Sequence, residues 1–196
     1  MTSSIQTLAL GGGCFWCTES VFVRVRGVTD VESGYSNGTI ERPTYEQVCT
    51  GFTGHNEVVK LEYDPAQITL REILEIFFLI HDPTTLNRQG NDQGTQYRSG
   101  IYYSTPEQKT GAEAVLRELA QHLAQEKGFA RKVVTELQPL ANYWPAEDYH
   151  QDFFEKNPTQ GYCMAVAAPK VEKFRKTFAA RVIARSEERR VGKECA

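Results

Sequence analysis

The sequence predicts an α+β domain, a two-layer α/β sandwich with helices laid on a mixed, mainly antiparallel sheet. Three observations carry this. Strand-like and helix-like runs interleave along the 196 residues, but not as regular β-α-β repeats. The run "EVVKLEYDP" alternates cleanly, with Val59, Leu61 and Tyr63 on one face and Val58, Lys60 and Glu62 on the other. Two further runs open with helix capping boxes.

Each element follows from its own residues. "IQTLAL" reads as a short buried strand running into the turn at Gly11, Gly12 and Gly13. "CFWCTESVFVRVR" follows as a helix closed by Gly27, and "VTDVESGYS" as a second strand. A long polar stretch, "NGTIERPTYEQVCTGFTGHN", leads to the alternating strand. "TLREILEIFFLIHDP" opens with the box Thr69 and Glu72 and sets Ile73, Phe77 and Ile80 on one stripe. "RQGNDQGTQ" is a glycine-rich loop, and "YRSGIYYS" is the strand after it. In "TPEQKTGAEAVLRELAQHLAQEKG" Thr105 is the N-cap, Pro106 takes N1, Gln108 completes the box and Gly128 stops the helix. "KVVTELQPL" is the last strand, and residues 141–158 are aromatic and acidic without a firm period. The set describes a ferredoxin-like core with extensions.

The totals exclude several classes. A formal net charge of -3 and no basic stripe argue against nucleic acid as a partner. No apolar run reaches the length of a membrane span. "MTSSIQTLAL" has neither a basic start nor a long apolar stretch, so no signal peptide is read. Five scattered cysteines (Cys14, Cys17, Cys49, Cys163, Cys195) do not make a disulfide framework, and a reducing cytoplasm is expected. Residues 1–184 read as one domain. "RSEERRVGKEC" in the tail 185–196 has no apolar period, and its codons can spell a common sequencing-library adapter. It is read as a non-native segment or a disordered tail, so Cys195 carries no functional weight.

The chemistry concentrates in "GGGCFWC". A cysteine becomes a nucleophile when its thiolate is stabilised, and the N–H groups at a helix start do that. Cys14 falls there, behind glycines that leave its thiol open, with Cys17 at CxxC spacing. Two other readings stay open: a small residue packed at a tight turn, or half of a zinc site, with Cys49 and His55 as a loose complement. Phe15 and Trp16 either cage a small apolar group or face the core. Glu57 shares the alternation of Val59, which would aim its carboxyl at the apolar face, raise its pKa and make it a proton donor. Its alternative is to curl into solvent at the strand start. Tyr35, Tyr45 and Tyr97 are further hydroxyl candidates, and His55, His81 and His150 read as structural.

"GCFWCTE", "SGYSNG", "PTYEQVCTGFTGHNEVVKLEYDP", "HDPTTLNRQGNDQGTQYRSGIYY" and "YHQDFFEKNPTQGYC", in this order from about Ile5 to Cys163, resemble the peptide methionine sulfoxide reductase A family. The resemblance implies reduction of the S epimer of methionine sulfoxide, free or in proteins, with no metal or organic cofactor. It implies Cys14 as the nucleophile that becomes a sulfenic acid, and Glu57 as the acid, assisted by Tyr35 and Tyr97. Phe15 and Trp16 would hold the methyl group, and Asp92 matches a polar residue of the same pocket. The sulfenic acid needs a second thiol. Cys163, on a segment expected to swing, is preferred over Cys17, and Cys49 is a bystander. Thioredoxin is the implied reductant, and the enzyme is expected to work as a monomer. "GHNE" stands where the family usually has "GHAE".

Overall fold

In a computed structural model, residues 4–126 and 131–183 are described. Gly128, the expected helix stop, and the tail 185–196 lie outside them. Strand β1 (Gln6–Gly11) leads through the glycines into α1 (Phe15–Phe22), β2 (Val28–Ser36), a short α2 (Tyr45–Cys49) and β3 (Asn56–Tyr63). Helix α3 (Leu70–Ile80) precedes a small hairpin, β4 (Arg88–Gln89) and β5 (Asp92–Gln93), and then β6 (Gly100–Tyr103). The rest is α4 (Pro106–Gln125), β7 (Glu136–Pro139), β8 (Trp144–Pro145), α5 (Phe153–Lys156) and α6 (Ala168–Thr177).

One sheet runs in the order β7-β6-β1-β3-β2-β8, antiparallel throughout except for the parallel pair β6 and β7. The mixed, mainly antiparallel sheet is therefore as expected. The alternation in β3 does what it implied: Val59, Leu61 and Tyr63 join the main core, while Val58 joins Ala9 and Tyr102 on the opposite face. Helices α1, α3, α4 and α6 cover the first face through Phe22, Phe77, Val115 and Phe174. The capping boxes of α3 and α4 both form.

Several elements were not read from the sequence. Helix α2 has its own capping box, Thr44 with Gln47, inside the stretch taken as polar loop. β8 and α5 are short pieces of the segment without a period. Cys163 sits on no loose segment: it is buried and opens a π-helical turn (Cys163–Ala167) that runs into α6. Pro169, with no N–H to donate, follows directly on this π-helical turn inside one helical run.

The glycines set the approach to α1. A Cβ on Gly12 would sit 2.8 Å from the Phe77 ring, and Gly13 has φ +90° with Gln89 Cβ 2.8 Å from where its own would be. Gly13→Ala combines left-handed backbone with a clash. It is expected to lower stability by about 1–3 kcal/mol, read as a shift of the urea midpoint.

Candidate active site

β1 delivers Cys14 as the N-cap of α1, in extended conformation (φ -58°, ψ 125°) and with no capping bond from its thiol. The side chain is partly exposed, whereas Phe15 and Cys17 are buried. The first N–H of the helix, on Phe15, donates to Glu57 Oε2 at 3.2 Å. The Trp16 N–H favours charge on the Cys14 sulfur. The donors at the helix start are thus divided between a carboxyl and a thiol.

That division changes the electrostatics expected from sequence. Burial, then the neighbouring thiol of Cys17, then the Glu57 charge push the Cys14 thiol well above its ordinary value, against the Trp16 N–H. Cys17 moves the other way: its interaction with the Cys14 thiol pulls it down, and the Lys170 ammonium adds to this against burial. At Cys14, burial and the neighbouring groups thus work against the helix start.

Glu57 lies on the apolar face of β3, 1% exposed, so it does not curl into solvent. Burial pushes its carboxyl up to about 8, partly offset by the Phe15 N–H. It is therefore mostly protonated at neutral pH. Tyr35 is directly opposite it across the β2–β3 ladder, on the same face of the sheet. The Tyr35 hydroxyl donates to Glu147 Oε1 at 2.9 Å, and burial with that carboxylate keeps it neutral. Tyr97 ends a 3-10 turn (Thr95–Tyr97) and is half-buried. Its acidity is weakened by burial first and then by the charges of Glu57 and Cys14.

Trp16 is held from three sides. Its ring stacks on Phe153, with centroids 3.7 Å apart and planes 4° apart, and Tyr162 meets it edge-on at 5.9 Å. Its indole N–H donates to His150 Nδ1 at 3.0 Å. That places the His150 proton on Nε2, which is buried and unpaired among the described residues. Tyr162 ties the other wall together. Cys17 Sγ donates to its hydroxyl oxygen at 3.8 Å, and the hydroxyl donates to Asp92 Oδ2 at 2.5 Å. Cys14, Asp92 and Tyr162 also line one end of a cleft of about 950 Å³ that extends towards Lys170.

The sequence candidates therefore divide. Cys14, Phe15, Trp16, Cys17, Tyr35, Glu57, Asp92 and Tyr97 come together around the start of α1. Cys163 is buried near Cys17, whose charge raises its thiol further after burial. Cys49 is exposed. His55 is no free ligand: Gly38 N–H donates to its Nδ1 at 3.2 Å, and its Nε2 bonds to Ile40 O at 2.7 Å. Among the described residues no group of three or more His, Cys, Asp or Glu is placed to hold a metal ion. No helix among them is long and apolar enough to cross a membrane. Phe153, Tyr162 and Glu147 were missed, and His150 was read as merely structural. The signal available was the density of aromatics in "YHQDFF" and "GYC".

Comparison with known proteins places most of the chain beside one family. The family model described as "Peptide methionine sulfoxide reductase" matches residues 6–182. A peptide methionine sulfoxide reductase of Saccharolobus solfataricus is 56% identical over 174 residues, covering 89% of this chain and 95% of the relative. Among solved structures, methionine sulfoxide reductase A of Corynebacterium diphtheriae superposes with a TM-score of 0.76 at 39% identity, over 82% of this chain and 78% of that one. Mxr1 of Saccharomyces cerevisiae in its reduced form gives 0.74 at 35% identity, over 85% and 93%. Mxr1 has also been solved in complex with Trx2.

Proposed function

The chain belongs to the peptide methionine sulfoxide reductase family, and from that premise we propose that Cys14 and Glu57 divide the reduction between them. The enzyme is a thiol-dependent reductase that returns methionine sulfoxide to methionine. In our reading the Cys14 thiol gives up its proton as its sulfur attacks the sulfoxide sulfur of the S epimer, while Glu57 gives its own proton to the sulfoxide oxygen and is left to take up the one from the thiol. The oxygen passes to Cys14 as a sulfenic acid, and methionine leaves. Tyr97 steadies that oxygen with its hydroxyl, and Tyr35 does so by turning its proton from Glu147 to the oxygen. Phe15 and Trp16 hold the methyl group, and Asp92 takes a polar group of the substrate backbone. The observation that carries this is a buried, protonated carboxyl bonded to the first N–H of the helix that Cys14 caps.

The second thiol then condenses with the sulfenic acid, releasing water and leaving a disulfide. Two observations favour Cys17 as the first to do so, reversing the order expected from sequence. Its sulfur interacts with that of Cys14 and is the more acidic of the two. Cys14 also stands outside the helix as its cap, which relaxes the geometry of the pair. Cys163 is buried beside Cys17 and would take the disulfide on. Thioredoxin is the external reductant, a reading supported by the Mxr1 complex with Trx2, and no metal or organic cofactor enters any step.

The same reading takes β6-β1-β3-β2 as a ferredoxin-like core, supported by the order β1-α1-β2-β3-α3-β6 along the chain. Residues 1–184 form the catalytic domain and 185–196 lie outside it, in keeping with a family match that spans residues 6–182. We take the enzyme to be a cytoplasmic monomer; scattered cysteines without a disulfide framework support a reducing compartment.

A single-turnover assay without reductant tests the reading. With one equivalent of sulfoxide per chain, the S epimer should give about one methionine per chain and the R epimer none, with two thiols lost in wild type and in Cys163→Ser. Cys17→Ser should stop at the sulfenic acid. Failure of both epimers in folded protein would overturn the function; arrest in Cys163→Ser instead would reverse the order of the thiols.

A further inference from the structure

Glu19 lies on α1, one turn beyond Trp16 and on the side away from Cys14, and the reaction as described does not use it. Its side chain is 2% exposed. A carboxyl in such a place costs free energy unless it is well bonded, and burial lifts this one to about 7. Its Oε1 accepts the backbone N–H of Asp152 at 3.0 Å; the Phe153 N–H and the Ser33 hydroxyl also favour its charge, though Oε2 makes no hydrogen bond among the described residues. Asp152 is a non-glycine residue in the left-handed region, φ 54° and ψ 34°. Such a conformation persists only where the surroundings enforce it. The next residue is Phe153, whose ring is the stacking partner of Trp16, and two residues back is His150, which accepts the indole N–H.

We propose that Glu19 is a positioning residue for substrate binding: its carboxylate oxygen holds Asp152 in the left-handed turn, and that turn fixes Phe153 and His150 against Trp16. The turn is braced at two further points. Gln151 bonds both the N–H and the C=O of Ser33 on β2, at 2.9 and 2.8 Å. Arg24, also in the α1 region, pairs with Glu155 and lies 5.4 Å over the Phe154 ring. Glu19 holds the N–H of the strained residue, whose C=O accepts the Lys156 N–H of α5 at 3.0 Å. Its target is thus the Trp16 side of the methyl pocket, and the proposal rests on the reading of Trp16 given above.

What the site requires of residue 19 is an acceptor at one place. Glu19→Gln keeps the acceptor, Glu19→Ala removes it, and Glu19→Asp withdraws it by one methylene. The experiment measures methionine S-sulfoxide reduction together with the emission of Trp16 in a Trp144→Phe background, where Trp16 is the remaining tryptophan. Glu19→Ala and Glu19→Asp are expected to raise KM about tenfold, equivalent to about 1.4 kcal/mol. The single-turnover rate at saturation should stay within about twofold, and the Trp16 emission should shift. Glu19→Gln should restore both KM and the emission. If Glu19→Ala does not fold, Glu19→Asp carries the test. Unchanged KM and emission in a folded Glu19→Asp or Glu19→Ala would overturn the proposal, as would a Glu19→Gln as impaired as Glu19→Ala. Lack of turnover in the wild type would instead strike at the functional reading, before any variant is compared.

Discussion

Cys14→Ser should leave a folded protein that forms no methionine from its sulfoxide. Serine is nearly isosteric and is a favoured N-cap, and the Cys14 thiol makes no capping bond to lose, so stability should hold or rise slightly. The loss should exceed about four orders of magnitude, the scale on which removal of a covalent nucleophile acts. An alkoxide is out of reach at neutral pH, and Cys17, the nearest other thiol, is buried and not open to a substrate. The measurement is methionine formed per chain in a single turnover, with unfolding by urea as the control for folding. Residual turnover within a factor of ten of wild type would move the nucleophile elsewhere.

Glu57→Gln should slow the chemical step by about a hundred- to ten-thousandfold, the usual range for a general acid, with substrate affinity changed only a few-fold. The sign of the pH dependence follows from the raised pKa. Glu57 must be protonated to act, and burial holds it so up to about pH 8. The wild-type single-turnover rate should therefore fall as pH rises through that value, and this falling limb should vanish in Glu57→Gln. Stability gives an independent check. A carboxyl raised in the folded state contributes fully below its unfolded pKa of about 4.3 and loses that contribution as pH rises through about 8. Glu57→Gln should therefore gain in urea midpoint over wild type as the pH rises from acid to mildly alkaline. A variant with full rate and an unchanged pH profile would remove Glu57 from the mechanism.

The parts of the fold that sequence made legible are those governed by local rules. Alternation in β3 and the capping boxes of α3 and α4 involve neighbours along the chain, and they appear as read. The same alternation placed Glu57 on the buried face, which is the least obvious feature of the site. What escaped depends on partners far away in sequence. The bond from Trp16 to His150 joins residues 134 apart, and Glu19 meets Asp152 across 133. No periodicity reports such contacts. The Cys14 thiol shows the same limit: a helix start favours a thiolate, while burial and the nearby Cys17 and Glu57, which are tertiary facts, act against it. Cys163 looked mobile because glycine precedes it, yet the helix that follows packs Val171 and Phe174 into the core and takes Cys163 with it.

The most direct test of the central claim is to locate the oxygen. In a variant carrying both Cys17→Ser and Cys163→Ser, methionine S-sulfoxide labelled with heavy oxygen would be added without reductant, and the cysteine peptides examined by mass. One labelled oxygen on Cys14 for each methionine formed is the expected result. Methionine formed with no label on Cys14, or with the label on Cys49, would contradict the account.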